Sequence, residues 1–184
     1  MADTKISQMT AAAPLTGAEL VPLVQSGANV QAAVSSLQTY LGSKYGSYGN
    51  LYITGGVTGQ SMNATPTKLT CWTTSGPSNN MTLSTVNNQI TVLNTGIYQV
   101  IVNLNFAAGN NTNYNFRVYN NTSATSYANT LINTHIVGTD HQEYSIQALI
   151  SANANDVLYV QSYTDGATDT ITMQNANFIL VQIG

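Results

Sequence analysis

The chain has 184 residues, of which 4 are Lys or Arg and 7 Asp or Glu; 43% are hydrophobic and the formal net charge is -3. That length supplies one well-buried domain plus an appendage rather than two full domains, and a charged content of 6%, against roughly a quarter in an average soluble domain, leaves solvation to neutral polar groups. Lys5, Lys44, Lys68 and Arg117 are too few for the cationic stripe that neutralises phosphates, and no run approaches the ~20 apolar residues of a spanning helix, so neither nucleic acid nor a membrane is an expected partner.

The neutral polar groups include 22 Asn and 25 Thr, which favour turns and strands respectively, so the composition leans all-β. Met1 to Thr10 lacks a basic segment followed by an apolar core, and no secretion signal is expected. Cys71 is the single cysteine, which excludes an intrachain disulfide and a cysteine zinc site and marks a small buried side chain beside Trp72.

Residues 1–41 form a first zone. Leu20-Val21-Pro22-Leu23-Val24 is apolar, but Pro22 cannot donate to a ladder, so the run is an edge strand or extended arm. A turn follows at Ser26-Gly27-Ala28-Asn29. Ser35 and Gln38 then have capping-box spacing, and Val34, Leu37, Tyr40 and Leu41 fall on one side of a two-turn helix. A helix that short needs a surface to lie on.

Residues 42–60 carry six glycines within eighteen residues, interleaved with Tyr45, Tyr48 and Tyr52. Glycine raises the entropy lost on ordering, so the stretch reads as a linker, with tyrosines that pack against something. Residues 61–184 alternate with period two. Tyr98, Val100, Val102, Leu104 and Phe106 share one face of a core strand, with Gln99, Asn103 and Asn105 opposite and Ile101 interrupting. The same pattern recurs in Tyr114, Phe116 and Val118; in Ile146, Ala148 and Ile150; in Val157 to Gln161; and in Phe178 to Ile183. Shorter strands are predicted at Lys68 to Thr73, Met81 to Val86, Gln89 to Leu93 and Thr170 to Gln174. Asn- and Gly-rich turns separate them, among them Ser75-Gly76-Pro77-Ser78-Asn79-Asn80. Short strands spaced by such turns predict an antiparallel sandwich or barrel.

Gly96-Ile97-Tyr98-Gln99-Val100 resembles the G-x-Y-x-V strand of tumour necrosis factor and complement globular-head jelly rolls. Asn155-Asp156-Val157-Leu158-Tyr159-Val160 and the closing Asn177-Phe178-Ile179-Leu180-Val181 are similar to the last strands of that superfamily. Over residues 61–184 the resemblance implies an all-β, TNF-like antiparallel jelly roll that forms homotrimers. Tyr119, Tyr127, Tyr144 and Tyr163 offer material for a threefold seam.

Lys5-Ile6-Ser7-Gln8-Met9, Leu15 to Gln25 and Val34 to Leu41 resemble the opening of many tailed-phage tail-fibre, head-fibre and related virion proteins, with Met9 and Leu23 as mild departures. That resemblance implies docking on other virion proteins, a major capsid protein or tail proteins, through Leu20, Val21, Pro22, Leu23, Val24, Val34, Leu37 and Leu41. It places the chain in the virion, assembled in the bacterial host cytoplasm.

Chemistry is sparse. His135 and His141 lie near Asp140 and Glu143, but a polar strand-connecting loop explains them, and a metal or hydrolytic site needs convergence and a further ligand or nucleophile. Asp165 and Asp169 flank Gly166 without the ligand count of a calcium loop. No G-x-S-x-G, H-E-x-x-H or phosphate loop occurs. No enzyme, cofactor or metal is therefore expected. The sequence is read as a trimeric capsid decoration or cement protein, or a short head fibre. A linker of nineteen residues spans at most about 65 Å at ~3.4 Å per residue, short for a fibre shaft. The alternatives are a tail-fibre or tail-tip protein contacting a host-surface glycan or protein through its loops, and a glycan-cleaving enzyme, for which seven scattered acidic residues are poor material.

Overall fold

A computed structural model describes residues 18, 20–25, 28–36, 46–109, 112–137, 141–166 and 168–184. The chain divides into two units, Met1–Gly42 and Ser43–Gly184.

In the first unit, β1 (Leu20–Gln25) and β2 (Ala28–Ala33) form an antiparallel hairpin in which Gln25 faces Ala28 and Pro22 faces Gln31. Each strand of a two-stranded sheet keeps an unpaired edge, which is where a proline is tolerated. The predicted arm is thus one half of a hairpin. The predicted turn is tighter than expected, because Ala28 and Asn29 belong to β2. Residues 34–36 are helical, and the rest of the predicted two-turn helix, with Leu37 and Leu41, lies outside the described residues.

The second unit is an antiparallel sandwich. Its strands are β3 (Tyr48–Tyr52), β4 (Val57–Met62), β5 (Thr67–Lys68), β6 (Thr74–Asn79), β7 (Met81–Ser84), β8 (Gln89–Val92), β9 (Gly96–Ala107), β10 (Thr112–Asn120), β11 (Thr125–Ser126), β12 (Ile132–Ile136), β13 (His141–Ala152), β14 (Val157–Thr164) and β15 (Asp169–Gln182). One sheet has six strands in the order β13-β9-β15-β3-β6, with β4 also on β15. The other has seven, in the order β11-β10-β14-β8-β7, with β12 beside β10 and β5 beside β14.

Alternation sends Tyr98, Val100, Val102, Leu104 and Phe106 of β9 inward, where all five are buried. They meet Phe178 and Leu180 of β15 and Tyr114, Phe116 and Val118 of β10 in one core. Phe106 sits 5.1 Å from Phe116 and 5.9 Å from Tyr114 between ring centroids, pairs that add about 0.5–1.5 kcal/mol each beyond area burial. The Tyr98 hydroxyl donates to the Asn94 carbonyl at 2.5 Å, so the one polar atom of that core ring is satisfied.

The stretch read as a linker is instead built into the sheet. Leu51 and Ile53 are buried, β3 pairs with residues 177–181 of β15, and β4 pairs with its first half. Glycine here serves close packing and turns: a Cβ on Gly49 would stand 2.9 Å from Leu83 Cδ2, and Gly55 takes a φ of +78°. The Ser75–Asn80 run, read as a turn, is mostly edge strand β6; it pairs with β3 across an irregularity that accommodates Pro77, and Asn80, at φ 52°, makes the turn. The two predicted C-terminal strands are one, because a register shift between Met173 and Asn175 changes which parity points inward. Strands β11 and β12 had no counterpart among the sequence expectations.

Candidate functional site

Two sheets packed face to face leave each with an outward face, and the outward face of the six-stranded sheet is unusual. Its side chains follow from register. Leu149, Gln99, Val181 and Tyr48 form one cross-strand row, and Gln147, Ile101, Ile179 and Asn50 form the next. Ile97 and Ile183 lie beyond. Ile97, Leu149 and Ile183 retain 47%, 55% and 54% of their surface and Tyr48 43%, around the half-buried Ile101, Ile179 and Val181. Glu143 is the one carboxylate on this face and no Lys or Arg stands on it among the described residues. Exposed apolar surface of this kind, interrupted by Gln99, Gln147 and Asn50, is a candidate for burial against another surface.

Toward the other end the face turns polar. A concave patch of about 690 Å³ is lined by Asn50, Tyr52, Asn103, Asn105, Glu143 and Asn177 among others. Asn103 Nδ2 donates to Asn177 Oδ1 at 3.0 Å and Asn105 Nδ2 to Glu143 Oε1 at 2.7 Å, while Asn105 Oδ1 is buried without a hydrogen-bond partner.

The residues singled out from sequence are dispersed. The core strand Tyr98 to Phe106 lies inside the sandwich and offers no surface. Of the docking residues, Leu20 is exposed and Val21 and Val34 are half-buried, while Pro22, Leu23 and Val24 are in β1. None of the four seam tyrosines stands in the apolar rows. Tyr127 and Tyr144 pack against the core, and Tyr119 and Tyr163 lie on the outward face of the seven-stranded sheet. The exposed apolar residues of those rows and beside them are Ile97, Leu149, Ile183 and Tyr48.

His135, on β12, and His141 and Glu143, on β13, belong to different sheets, and Asp140 lies outside the described residues. His135 Nδ1 is 2.9 Å from Asn113 Oδ1. Asp165 accepts from Asn113 Nδ2 at 2.6 Å and Asn115 Nδ2 at 2.9 Å; Asp169 accepts from the Tyr114 hydroxyl and from the Gly109 N–H at 3.1 Å. Both carboxylates fasten strand ends, and among the described residues no group of three metal-ligating side chains converges. Burial pushes the Cys71 thiol up to about 12, so it is a packing group and not a nucleophile at neutral pH.

No sequence-family description matches the chain, and no curated protein is significantly similar to it. Solved structures are. Eiger TNF from S. frugiperda superposes with a TM-score of 0.59 at 15% identity, covering 77% of this chain and 94% of that one. The globular domain of zebrafish complement 1qA superposes with a TM-score of 0.56 at 9% identity, covering 76% and 98% respectively. At such identities the likeness is one of fold: residues of the second unit form the jelly roll shared by tumour necrosis factor and complement globular heads.

Proposed function

We propose that this chain is a non-enzymatic structural protein of a tailed-phage virion, whose jelly roll assembles as a homotrimer through the outward face of the six-stranded sheet. The observation that carries the assembly is that face, with Ile97, Leu149, Ile183 and Tyr48 exposed around Ile101, Ile179 and Val181. A ring of three copies buries the rows with no charged group from Lys or Arg to desolvate. Its obligate interface removes more than about 2,000 Å² from water.

The virion assignment is supported by the resemblance of Lys5 to Leu41 to phage virion openings and by the division of the chain into two units at Gly42. Its hairpin, with Leu20 exposed, supplies an apolar element for a capsid subunit to cover. The eleven residues between residue 36 and β3 are too few for a long shaft of heptads or triplet repeats, which favours a capsid decoration or cement protein, or short head fibre, over a long tail fibre. The second reading, a tail-tip receptor-binding protein, is favoured by the cation- and tyrosine-bearing outward face of the seven-stranded sheet.

A cryo-EM map of intact particles tests the assignment. Threefold knobs on the capsid lattice are expected. Knobs at the tail would replace the capsid reading with receptor binding, and particles without such density would overturn the virion assignment.

A further inference from the structure

The outward face of the six-stranded sheet changes character within one step of its apolar rows. Beyond Gln147, Ile101, Ile179 and Asn50, the register sets Ser145, Asn103, Asn177 and Tyr52 in the next cross-strand row, and Glu143, Asn105 and Asn175 in the one after. Rows are two residues, about 6.7 Å, apart along a strand. Asn103 and Asn177 stand on β9 and β15, each of which has a strand on either side, so they lie in the body of the face and not at its edge. Both are already half-buried in the protomer.

Across the row the two amides bind each other, Asn103 Nδ2 donating to Asn177 Oδ1 at 3.0 Å. That bond leaves Asn103 Oδ1 as an acceptor and Asn177 Nδ2 as a donor, neither with a partner among the described residues. Turning both amides over reverses the roles and leaves the same remainder, one donor and one acceptor. The remainder is self-complementary: the donor of one copy meets the acceptor of the next, and an identical pair satisfies both. Both residues line the concave patch, which gives the side chains of a neighbouring copy room to reach them. The following row differs. Asn105 Nδ2 donates to Glu143 Oε1 at 2.7 Å and Glu143 is exposed, so the one carboxylate of the face stands a step farther from the apolar rows than the amide pair, which spares a charge from burial.

An apolar surface alone does not fix how copies align, because apolar contact is non-directional. Slipping by one row would set the amide pair against Ile101 and Ile179 and strand its donor and acceptor away from water. We infer that the Asn103–Asn177 pair fixes the register of the assembly, each pair hydrogen-bonding to the same pair of the next copy and excluding alignments that lack this match. The inference rests on the homotrimer proposed above and names the part of its interface that supplies specificity and not affinity. A polar residue in an apolar seam sets register in this way in coiled coils.

The test compares two double variants of the full chain, N103V/N177V and N103T/N177T, by native mass spectrometry and sedimentation velocity. Valine and threonine have nearly the same shape and both suit strands, but only threonine keeps a hydroxyl donor and acceptor on each strand. The threonine variant is expected to retain a single species of three chains. The valine variant is expected to keep the parent circular dichroism spectrum, to resist dilution at least as well, and to distribute among two or more stoichiometries. The single variant N103V, which leaves Asn177 without its partner, is expected to weaken association about tenfold or more. A parent chain of single-chain mass would overturn the trimer proposal and this inference together. With a trimeric parent, the same distribution of species in both double variants, a valine variant found only as monomer, or N103V as tightly associated as the parent would each overturn this inference alone.

Discussion

Ile101 and Ile179 face each other across β9 and β15 on the outward side of the six-stranded sheet, directly behind a pair of inward neighbours, Val102 and Phe178, that are fully buried. Around this pair both strands carry apolar side chains on both sides. One side makes the core of the protomer, and in the proposed assembly the other makes the core of the trimer. Leu149, at the edge of the next row, is a sensitive probe because it is exposed in the protomer. L149E is expected to leave protomer stability within about 0.5 kcal/mol and to weaken association by about 2–5 kcal/mol. Sedimentation at micromolar concentration should show dissociation with an unchanged circular dichroism spectrum. A variant that stays fully trimeric would move the interface elsewhere.

Tyr98→Ala removes a buried ring together with its bond to the Asn94 carbonyl. The expected loss is about 3–5 kcal/mol of folding stability, read from denaturant midpoints at constant m-value. An unchanged midpoint would contradict the inward placement of the even-numbered β9 residues.

Cys71 reads out the alkaline limit. Burial raises its folded-state pKa from the ordinary thiol value of 9.0 to about 12. The protonated thiol is therefore favoured in the folded state: its contribution is fully present below pH 9 and is lost as pH rises toward 12. Burial also raises Tyr98, Tyr127 and Tyr159, which act in the same direction. Melting temperature should fall above pH 9, and C71A should flatten part of that fall. At pH 8 the native thiol should resist maleimide and react on unfolding. Rapid native labelling would show that the site is open.

Removing residues 1–41 is expected to leave a folded, trimeric jelly roll that no longer joins particles, because every core residue among the described ones lies in the second unit. Particles lacking the protein should release their genome at lower temperature while still adsorbing to cells, since a ligand of the assembled lattice stabilises it by mass action. Full occupancy by the truncated chain would show that the docking residues lie outside residues 1–41.

The jelly roll was legible where alternation is clean and long. Tyr98 to Phe106 alternates against polar partners, and the last strands carry the same pattern with a superfamily resemblance. It was illegible where local signals compete with tertiary context. Six glycines between 42 and 59 raise chain entropy and read as a linker, yet Leu51 and Ile53 bury enough surface against β15 to order β3. The register shift near Gln174 hid the unity of β15. The outward apolar rows were hidden for another reason: in Ile179, Val181 and Ile183 the second apolar face was visible, but periodicity cannot tell a second buried face from a surface one. Lys68 and Arg117 flank Gln161 only through the strand order, which no local pattern encodes.

The most direct test of the account is the mass of the unmodified chain in solution, measured by light scattering behind size exclusion at micromolar concentration. The account predicts three times the 19.5 kDa chain mass, unchanged on dilution through the micromolar range. A particle of the single-chain mass would contradict it.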